Sequence, residues 1–310
     1  MDHISLGDSA TAAVADADTP SVLPRIHEEK PSLLNGRYEL TDRLLGKGGY
    51  GKVFLAIDHG NHGQKVAIKI CDTSGHCSEF QQKVMGEAVF GKEIPYHPNV
   101  CKTLDSFLIG HIFYIVMELI EGKSFDVYMR ETKWNPTTLQ FFFAILYHIA
   151  LAIAHLHANG IVHRDIKPSN FMILQNPDGT TRAILVDFGV SDQFDMVKQE
   201  RRGTPIFMSP QVAEWIGIDE KCDIWAFGVL ILLVLTREEV PLYLKESKNS
   251  DQSMAFIQNL KVNPFPAKLT ENKNPMVRLI ANIAKRCLEI KPSMRPSAAE
   301  IAERLSAFKA

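Results

Sequence analysis

The chain has no pair of cysteines with the spacing of a metal or redox site, and it has no strong charge of either sign. Its five cysteines are odd in number and scattered along 310 residues: Cys71, Cys77, Cys101, Cys222 and Cys287. This scatter argues against a zinc site and favours a reducing compartment. The formal net charge of −2 argues against a dedicated nucleic-acid binder, which normally needs a strongly basic surface.

Signals for export or membrane insertion are also missing. No basic segment followed by an apolar core opens the sequence, so we expect no cleaved signal peptide. The most apolar stretches, residues 224–235 and 141–154, are shorter than the roughly 20 residues that a bilayer requires. We interpret both as buried helices and expect a soluble, intracellular protein, with the cytoplasm as the simplest location and no transmembrane segment.

The residues that are present fall into two regions of different composition. Residues 1–34 are rich in Ala, Asp, Ser and Thr, with six acidic residues against two basic ones. This acidic tail has too few large apolar residues to offset the entropy of ordering, so we expect it to be flexible. Residues 35–310 predict strands first and helices afterwards, which favours an α+β protein with two lobes. The expected strands cover 38–45, 53–58, 65–71, 114–120 and 183–186, and the expected helices cover 79–92, 137–157, 219–236, 276–289 and 297–308.

A glycine cluster, GKGGYG over residues 46–51, separates the first two expected strands. Glycines allow backbone N–H groups to approach phosphate oxygens, but a dinucleotide fold or a hairpin turn also produces such a cluster. Two facts argue against the dinucleotide fold. A strand rather than a helix follows the cluster, and the next distinctive polar residue is a lysine, Lys69 in the apolar strand VAIK, rather than an acid. A cation in such a strand needs an anionic partner. We expect Glu87 on the following helix to supply it, with nucleotide phosphate as the second partner.

Two further clusters carry groups suited to catalysis. Residues 163–170 read HRDIKPSN, a density of polar side chains that a structural loop rarely needs. Residues 187–189 read DFG and follow an apolar strand. An aspartate that leaves a buried strand beside glycine is a natural Mg²⁺ ligand, because this ion takes one or two carboxylates together with phosphate oxygens.

Taken in order, GKGGYG, VAIK, HRDIKPSN, DFG, GTPIFMSPQ and DIW make residues 38–308 resemble a eukaryotic-type serine/threonine protein kinase. The resemblance implies a bilobal fold, with a small β-rich N-lobe over about 35–120 and a larger α-helical C-lobe over about 121–310. It also implies transfer of the γ-phosphate of ATP to serine or threonine hydroxyls of protein substrates, with Mg²⁺ as cofactor and Mn²⁺ as a substitute.

The resemblance assigns roles to individual residues. Asp165 would orient the substrate hydroxyl and accept its proton, while Lys167 would steady the γ-phosphate and Thr204 is typical of the serine/threonine group. Lys69 would hold the α- and β-phosphates while it pairs with Glu87, and Asn170 and Asp187 would hold the metal. The remaining nucleotide-binding residues would be Leu45, Gly46, Gly48, Gly51, Val53, Ala67, Met117, Glu118, Ile120 and Met172.

The sequence also departs from the family pattern. Gln211 replaces a glutamate that usually pairs with an arginine, here Arg295, so we expect Arg295 to be more solvated or paired with another acid. Gly91 replaces a bulky residue one turn after Glu87, which would loosen that helix. We therefore expect Phe90 to substitute, or an activating partner to brace the helix.

The segment between Ser191 and Thr204 contains no hydroxyl group. Relatives that are switched on by phosphorylation of this segment place a phosphate near Arg164. We expect Asp195 or Glu200 to supply a permanent anion instead, or no anion to be required. Ser124 and Ser169 stand where arginine-directed relatives carry acids, so a basic residue upstream of the phosphorylated hydroxyl is not expected to be necessary.

Three alternatives remain at this stage. The departures at Gln211 and Gly91 are compatible with a pseudokinase scaffold that binds nucleotide and partner proteins but transfers little or no phosphate. A small-molecule kinase of related fold is a second alternative, and the GTPIFMSP stretch argues against it because it resembles a peptide-docking loop. The third is a metal site at His155, His157 and His163, although the first two fit better at a helix end.

Overall fold

The computed structural model describes most of residues 33–308, with several gaps. The described ranges are 33–48, 51–76, 78–133, 135–176, 178–188, 191–193, 203–214, 217–236 and 267–308. All but two residues of the expected acidic tail lie outside these ranges, and so do the expected anions Asp195 and Glu200. Those predictions stay untested.

A five-stranded antiparallel sheet forms the first part of the chain. Its strands are β1 (Tyr38–Gly48), β2 (Gly51–Asp58), β3 (Gln64–Asp72), β4 (Thr103–Ile109) and β5 (Ile112–Glu118). They are arranged in the order β1-β2-β3-β5-β4. Helix α1 (Ser78–Glu93) packs against β4 and β5.

The central strand β3 is buried on both faces, which explains its unbroken apolar run. Val66, Ile68 and Ile70 face a cluster that contains Tyr38, Tyr114 and Val116. On the opposite face, Ala67 joins a second cluster with Ala88 of α1 and Met117 of β5. Since side chains alternate along a strand, Lys69 shares the face of Ala67 and is directed towards α1.

The described residues after β5 are mainly helical, as the sequence predicts. Its helices are α2 (Phe125–Glu131), α3 (Pro136–Ala158), α4 (Pro210–Glu214), α5 (Lys221–Thr236), α6 (Ala267–Thr270), α7 (Pro275–Cys287) and α8 (Ala298–Leu305). Short strands β6 (Lys123–Ser124), β8 (Phe171–Gln175) and β9 (Thr181–Leu185) form one small sheet, and β7 (Ile161–Val162) pairs with β10 (Asp192–Gln193). The α+β order of elements is therefore confirmed, while the exact lobe boundary near residue 120 stays a prediction.

The apolar helices α3 and α5 form the core of the helical region. Residues of α5 are buried almost continuously from Cys222 to Leu232, and α3 contributes residues from Phe142 to Leu156 to the same cluster. Within the described residues, α3 is the one helix long and apolar enough to cross a membrane by length and composition alone. Half or more of its most apolar window is buried inside the protein, which fits the expected role of a core helix.

Capping groups fix the beginnings of two helices that frame the core. The predicted capping box at Ser297 is confirmed: its side chain accepts from the N–H of Glu300, whose carboxylate accepts from the N–H of Ser297. Asn135 and Thr138 make an equivalent pair of bonds at the start of α3. The helix expected over 276–289 is slightly shorter, because α7 ends at Cys287.

The sheet and the helical region are joined by the segment that follows α1. The side chain of Asn99 donates to the carbonyl of Ala183 at 2.8 Å, and its own carbonyl accepts from the N–H of Leu185 at 2.9 Å. The carbonyl of Leu185 in turn accepts from the N–H of Cys101. These bonds fix the end of β9, two residues before Asp187, relative to the sheet that carries Lys69.

Candidate active site

Lys69 lies at the centre of a buried group of charges. Its Nζ is 2.6 and 2.7 Å from the two carboxylate oxygens of Glu87 and 3.0 Å from Oδ1 of Asp187. The expected contact between Lys69 and Glu87 is thus present, and it connects β3 to α1. Asp187 extends the group to the chain that follows β9.

Burial and charge act in opposite directions on this group. Burial is the largest influence on Lys69 and would lower its pKa, but the charges of Glu87 and Asp187 together raise it. Burial also raises the pKa of Glu87 to about 7, and Lys69 opposes that rise. The short contacts with both carboxylate oxygens are those of an ionised pair, so the negative charge of Glu87 depends on the presence of Lys69.

Asp165 lies in a second cluster, at the loop between β7 and β8. Its Oδ1 accepts from both the N–H and the hydroxyl of Thr204, at 2.9 and 2.8 Å. Its Oδ2 is 2.6 Å from Nζ of Lys167, and Lys167 also donates to the Thr204 hydroxyl at 2.9 Å. The amide of Asn170 donates to the backbone carbonyl of Asp165 at 2.9 Å. Three side chains predicted from two separate motifs therefore meet at Asp165.

His163 connects the two clusters. Its Nε2 lies 2.5 Å from the carbonyl oxygen of Asp187, and its Nδ1 accepts from the N–H of Asp165. A carbonyl can only accept, so the proton resides on Nε2. His163 therefore fixes the backbone of Asp165 relative to the backbone of Asp187. No such role was predicted for it from the sequence.

The buried carboxylate of Asp223, near the start of α5, holds the backbone of the same loop. It accepts from the N–H groups of His163 and Arg164 at 2.8 and 2.7 Å and from Nε2 of His157 at 3.0 Å. Burial alone would raise the pKa of Asp223, but the hydrogen bond from His157 and the other contacts lower it. Asp223 belongs to the DIW motif recognised in the sequence, although no role was predicted for it.

The described glycines of the cluster lie where β1 ends and β2 begins. Gly46 pairs with Val53 and Gly48 pairs with Gly51. Gly51 lies so close to β3 that an added Cβ would approach the carbonyl oxygen of Ile70 to 2.3 Å, so a side chain is excluded there. Strand β2 pairs with β3, so that Val53 lies opposite Lys69. The described glycines therefore lie near the strand that carries Lys69, and glycine backbone there is suited to covering phosphates.

Apolar residues of the sheet form a surface suited to a purine. Val53, Ala67, Met117 and Ile120 belong to one cluster, while Leu45 is 36% exposed and Met172 lies on β8. Strand register places Ala67 opposite Met117. Ordinary core packing accounts for this cluster as well as a purine site does.

The segment after β5 offers polar backbone groups beside that surface. Glu118 is held by two bonds with Lys102: its N–H donates to the Lys102 carbonyl and its Oε1 accepts from the Lys102 N–H at 2.8 Å. The N–H of Ile120 makes no hydrogen bond with the described residues. It is therefore a donor that an adenine base can use.

The donor groups fit Mg²⁺ bound together with a nucleotide. Within the described ranges, no group of three or more His, Cys, Asp or Glu side chains could hold a metal by itself. Asp187, with a side chain 37% exposed, and Asn170 supply oxygen atoms but too few for a complete site. Mg²⁺ usually takes one or two protein oxygens and completes its shell with phosphate and water, which is the chemistry that these two residues suit.

The protein kinase domain model matches residues 40–305 of this chain. The chain belongs to the protein kinase family. Among curated proteins, the human serine/threonine-protein kinase DCLK2 is 30% identical over 264 residues, which cover 83% of this chain and 33% of that protein. DCLK1 of Rattus norvegicus is 28% identical over 275 residues, which cover 88% of this chain and 60% of that protein. The chain thus spans only about a third to three fifths of the length of these relatives.

The family match confirms the resemblance and the bilobal kinase fold. Members of this family are transferases that use ATP and Mg²⁺. The roles of individual residues in this kinase stay predictions.

The expectation for Arg295 was wrong. It is neither solvated, being 3% exposed, nor in an ion pair with any carboxylate of the described residues. Its guanidinium donates to the carbonyls of Glu289, Ile290 and Lys221 and to Oε1 of Gln211 at 3.0 Å, and it lies over the ring of Trp225. Burial lowers its pKa to about 10. Neutral acceptors take the place of the missing carboxylate, and Gln211 is one of the groups that accept hydrogen bonds from the buried guanidinium.

Gly91 also has a local explanation. Helix α1 continues past it to Glu93, and an added Cβ would lie 2.0 Å from Oγ1 and 2.8 Å from Cβ of Thr103. The glycine therefore allows α1 to approach β4 closely. Phe90 packs against the core of the helical region and does not fill the position of Gly91, which is occupied by Thr103.

The histidines do not form a metal site. His155 is bonded to the carbonyl of Pro95 and stacks on His97 at 4.6 Å between ring centroids. His157 and His163 instead contact Asp223 and Asp187, as described above. The expected position of His155 and His157 in the last turn of α3 is confirmed.

Proposed function

We propose that this kinase is catalytically active and transfers the γ-phosphate of MgATP to serine or threonine hydroxyls of protein substrates. The observation that carries the proposal is the junction at His163. It joins the Lys69–Glu87–Asp187 group to the cluster of Asp165, Lys167, Thr204 and Asn170. An inactive scaffold has no evident need for both groups.

Lys69 is placed to bind the α- and β-phosphates. Its buried ammonium is oriented by Glu87, so the charge does not have to be reorganised when the nucleotide binds. Asn170 and Asp187 would hold Mg²⁺, which neutralises negative charge on the phosphates when bound.

Asp165 is placed to act on the hydroxyl of the substrate. Its carboxylate is fixed by Thr204 and Lys167, which leaves it oriented rather than free to rotate. In the transfer step the hydroxyl oxygen forms a bond to the γ-phosphorus, the bond from that phosphorus to the β-phosphate oxygen breaks, and the proton passes to Asp165. Lys167 would stabilise the negative charge on the transferred group.

The choice of substrate follows from what surrounds this cluster. We infer that protein substrates dock without a required upstream basic residue, since Ser124 and Ser169 are neutral. We further propose that the kinase acts inside the cell and that a partner contacting α1 can strengthen the Lys69–Glu87 contact. The exposed side chains of Met85 and Val89 on that helix support this second idea.

A transfer assay tests the proposal. Purified chain is incubated with γ-labelled ATP, Mg²⁺ and a generic protein substrate, and the label is assigned by phosphoamino-acid analysis. We expect phosphoserine or phosphothreonine with the wild type and none with Asp165→Ala or Lys69→Met. No transfer by a folded wild type that still binds ATP would instead indicate a scaffold, and phosphotyrosine would contradict the assignment of Lys167 and Thr204.

A further inference from the structure

A single carboxylate on β4 is shared between the start of β1 and the end of α1. Oδ2 of Asp105 accepts from the hydroxyl of Tyr38 at 3.1 Å, and Oδ1 accepts from Nζ of Lys92 at 3.3 Å. The N–H of Ser106 donates to the same Oδ1 at 2.8 Å, which orients the carboxylate. Asp105 therefore joins two elements that are distant in the sequence through one oriented group.

Tyr38 is fixed by burial and by its neighbours. The residue is 1% exposed, and its ring stacks on Phe107 of β4 with the ring centroids 5.8 Å apart. The guanidinium of Arg37 lies over the same ring and donates to both carboxylate oxygens of Asp58, at 2.6 and 2.8 Å. Burial raises the pKa of Tyr38 to about 12, so its hydroxyl stays protonated and remains a donor at neutral pH.

The other contact of this carboxylate is with the last turn of α1. Lys92 lies in that turn, five residues after Glu87. The adjacent Gly91 packs so closely on Thr103 of β4 that a side chain is excluded. Packing brings the turn to the sheet, and the charge of Lys92 then attaches it to β4. Because the helix is continuous over these residues, a shift of its last turn also moves Glu87, the partner of Lys69.

We propose that Asp105 is a positioning residue for nucleotide binding, because it holds α1 through Lys92. The helix then keeps Glu87 directed at Lys69. The inference deepens the proposed function and rests on it, since it concerns how the proposed phosphate-binding lysine is oriented. A displaced helix lowers the fraction of molecules that are ready to bind ATP, and the apparent Kd rises in proportion. Bound ATP selects the oriented form, so the transfer step at saturation is little affected.

Calorimetry of ATP binding in the presence of Mg²⁺ compares the wild type with Asp105→Asn. The amide oxygen still accepts from Tyr38 and from the N–H of Ser106, but it carries no charge for Lys92. We therefore expect the Kd for ATP to rise about three- to fivefold, the size of effect that an exposed ion pair can supply. At saturating ATP, kcat should stay within about twofold of the wild-type value.

Lys92→Met removes the other partner and keeps the length of the side chain. This position is exposed, so we expect the variant to fold and its Kd to rise by the same factor. Combining it with Asp105→Asn should add nothing, because both substitutions remove the same contact. Arg130→Met is the matched control. It removes another exposed ion pair, with Asp126 on α2, and its Kd should equal that of the wild type.

A wild-type Kd in either single variant would overturn the proposal, and so would additive increases in the double variant. A lower Tm with an unchanged Kd would also overturn it, since Asp105 would then only stabilise the fold. If the wild type binds ATP but transfers no phosphate, the proposed function fails while the comparison of Kd values still decides this inference. A wild type that binds no ATP would overturn both.

Discussion

At the scale of single residues, Glu87 has the most informative environment. Burial raises its pKa to about 7, while Lys69 acts against that rise. A carboxyl group is ionised above its pKa and protonated below it, so acid removes the charge that orients Lys69. We therefore expect the contact between Lys69 and Glu87 to weaken as the pH falls.

We predict that kcat/KM for MgATP falls as the pH is lowered through about 7, the pKa of Glu87. The reason is that kcat/KM reports the ionisation of groups in the free enzyme, and protonated Glu87 holds Lys69 less well. Steady-state rates measured from pH 8.5 to 5.5 with saturating protein substrate check this, over a range set by that pKa.

Glu87→Gln is the matched control for this profile. It should have a low kcat/KM for MgATP that no longer falls across the same pH range, since it has no carboxyl to protonate. If kcat/KM of the variant falls at low pH by the same factor as that of the wild type, a group other than Glu87 causes the effect.

Gly91 shows how packing can override an intrinsic preference. Alanine is normally better than glycine inside a helix by about 1 kcal/mol, but a Cβ at position 91 would overlap Thr103. The close approach of α1 to β4 thus outweighs the preference of the helix itself.

We predict that Gly91→Ala lowers the free energy of unfolding by about 1–3 kcal/mol, the usual cost of overpacking. Gly86→Ala in the same helix should instead raise it by about 0.5–1 kcal/mol, because its nearest contact would be 3.7 Å from Phe90. Urea unfolding of both variants measures the difference. In a Thr103→Gly background, Gly91→Ala should no longer be destabilising; if it still is, the overlap is not the cause.

At the scale of elements, Arg295 connects α4 to the segments around α5 and α7. Its acceptors come from Gln211 of α4, from Lys221 of α5 and from the residues after α7. Because all of these acceptors are neutral, the guanidinium keeps part of its desolvation cost, which is visible in its lowered pKa.

We predict that Gln211→Glu raises the free energy of unfolding by about 1–2 kcal/mol, since a hydrogen bond between charged groups is stronger than one to an amide. Thermal unfolding should show Tm increased by a few degrees. Gln140→Glu, at an exposed position of α3, should change stability by less than about 0.5 kcal/mol. A lower Tm for Gln211→Glu would contradict this prediction. It would mean that the desolvation free energy of the new carboxylate exceeds the stabilisation from its interaction with Arg295.

The elements that the sequence predicts best are those whose residues repeat a clear pattern. The unbroken apolar run of β3 and the capping box at Ser297 are readable directly from the chain. Strand β4 was missed because it lies at the sheet edge and exposes Leu104, Leu108 and Ile109, so its residues do not alternate. The pair β7–β10 was missed because two-residue strands leave no periodicity to detect.

The residues of the candidate site also fall into those that the sequence predicts and those that it does not. Lys69, Asp165, Asn170 and Asp187 stand in recognisable motifs, and the structure brings them together. The supporting contacts of His163, Asp192 and Asp223 could not be predicted, because each joins segments about 24 to 60 residues apart. His163 and Asp223 make theirs with backbone groups, whereas Asp192 contacts the side chain of Arg164. Such contacts depend on how the chain is folded rather than on residue type.

At the scale of the whole molecule, backbone and side-chain hydrogen bonds join the sheet to the helical region. Asn99 and Leu185 attach the connection after α1 to β9, and His163 attaches the catalytic loop to Asp187. These bonds hold Lys69, proposed to bind phosphate, and Asp165, the proposed base, in one arrangement. The central claim is therefore that Asp165 acts in the chemical step and contributes little to nucleotide binding.

A single-turnover experiment tests that claim most directly. ATP labelled at the γ-phosphate is bound to the wild type and to Asp165→Asn with Mg²⁺, and the rate of transfer is followed after mixing with protein substrate. We predict that the Kd for ATP is unchanged while Asp165→Asn transfers phosphate at least about a hundredfold more slowly. Equal transfer rates for the two proteins at equal occupancy by ATP would contradict the account.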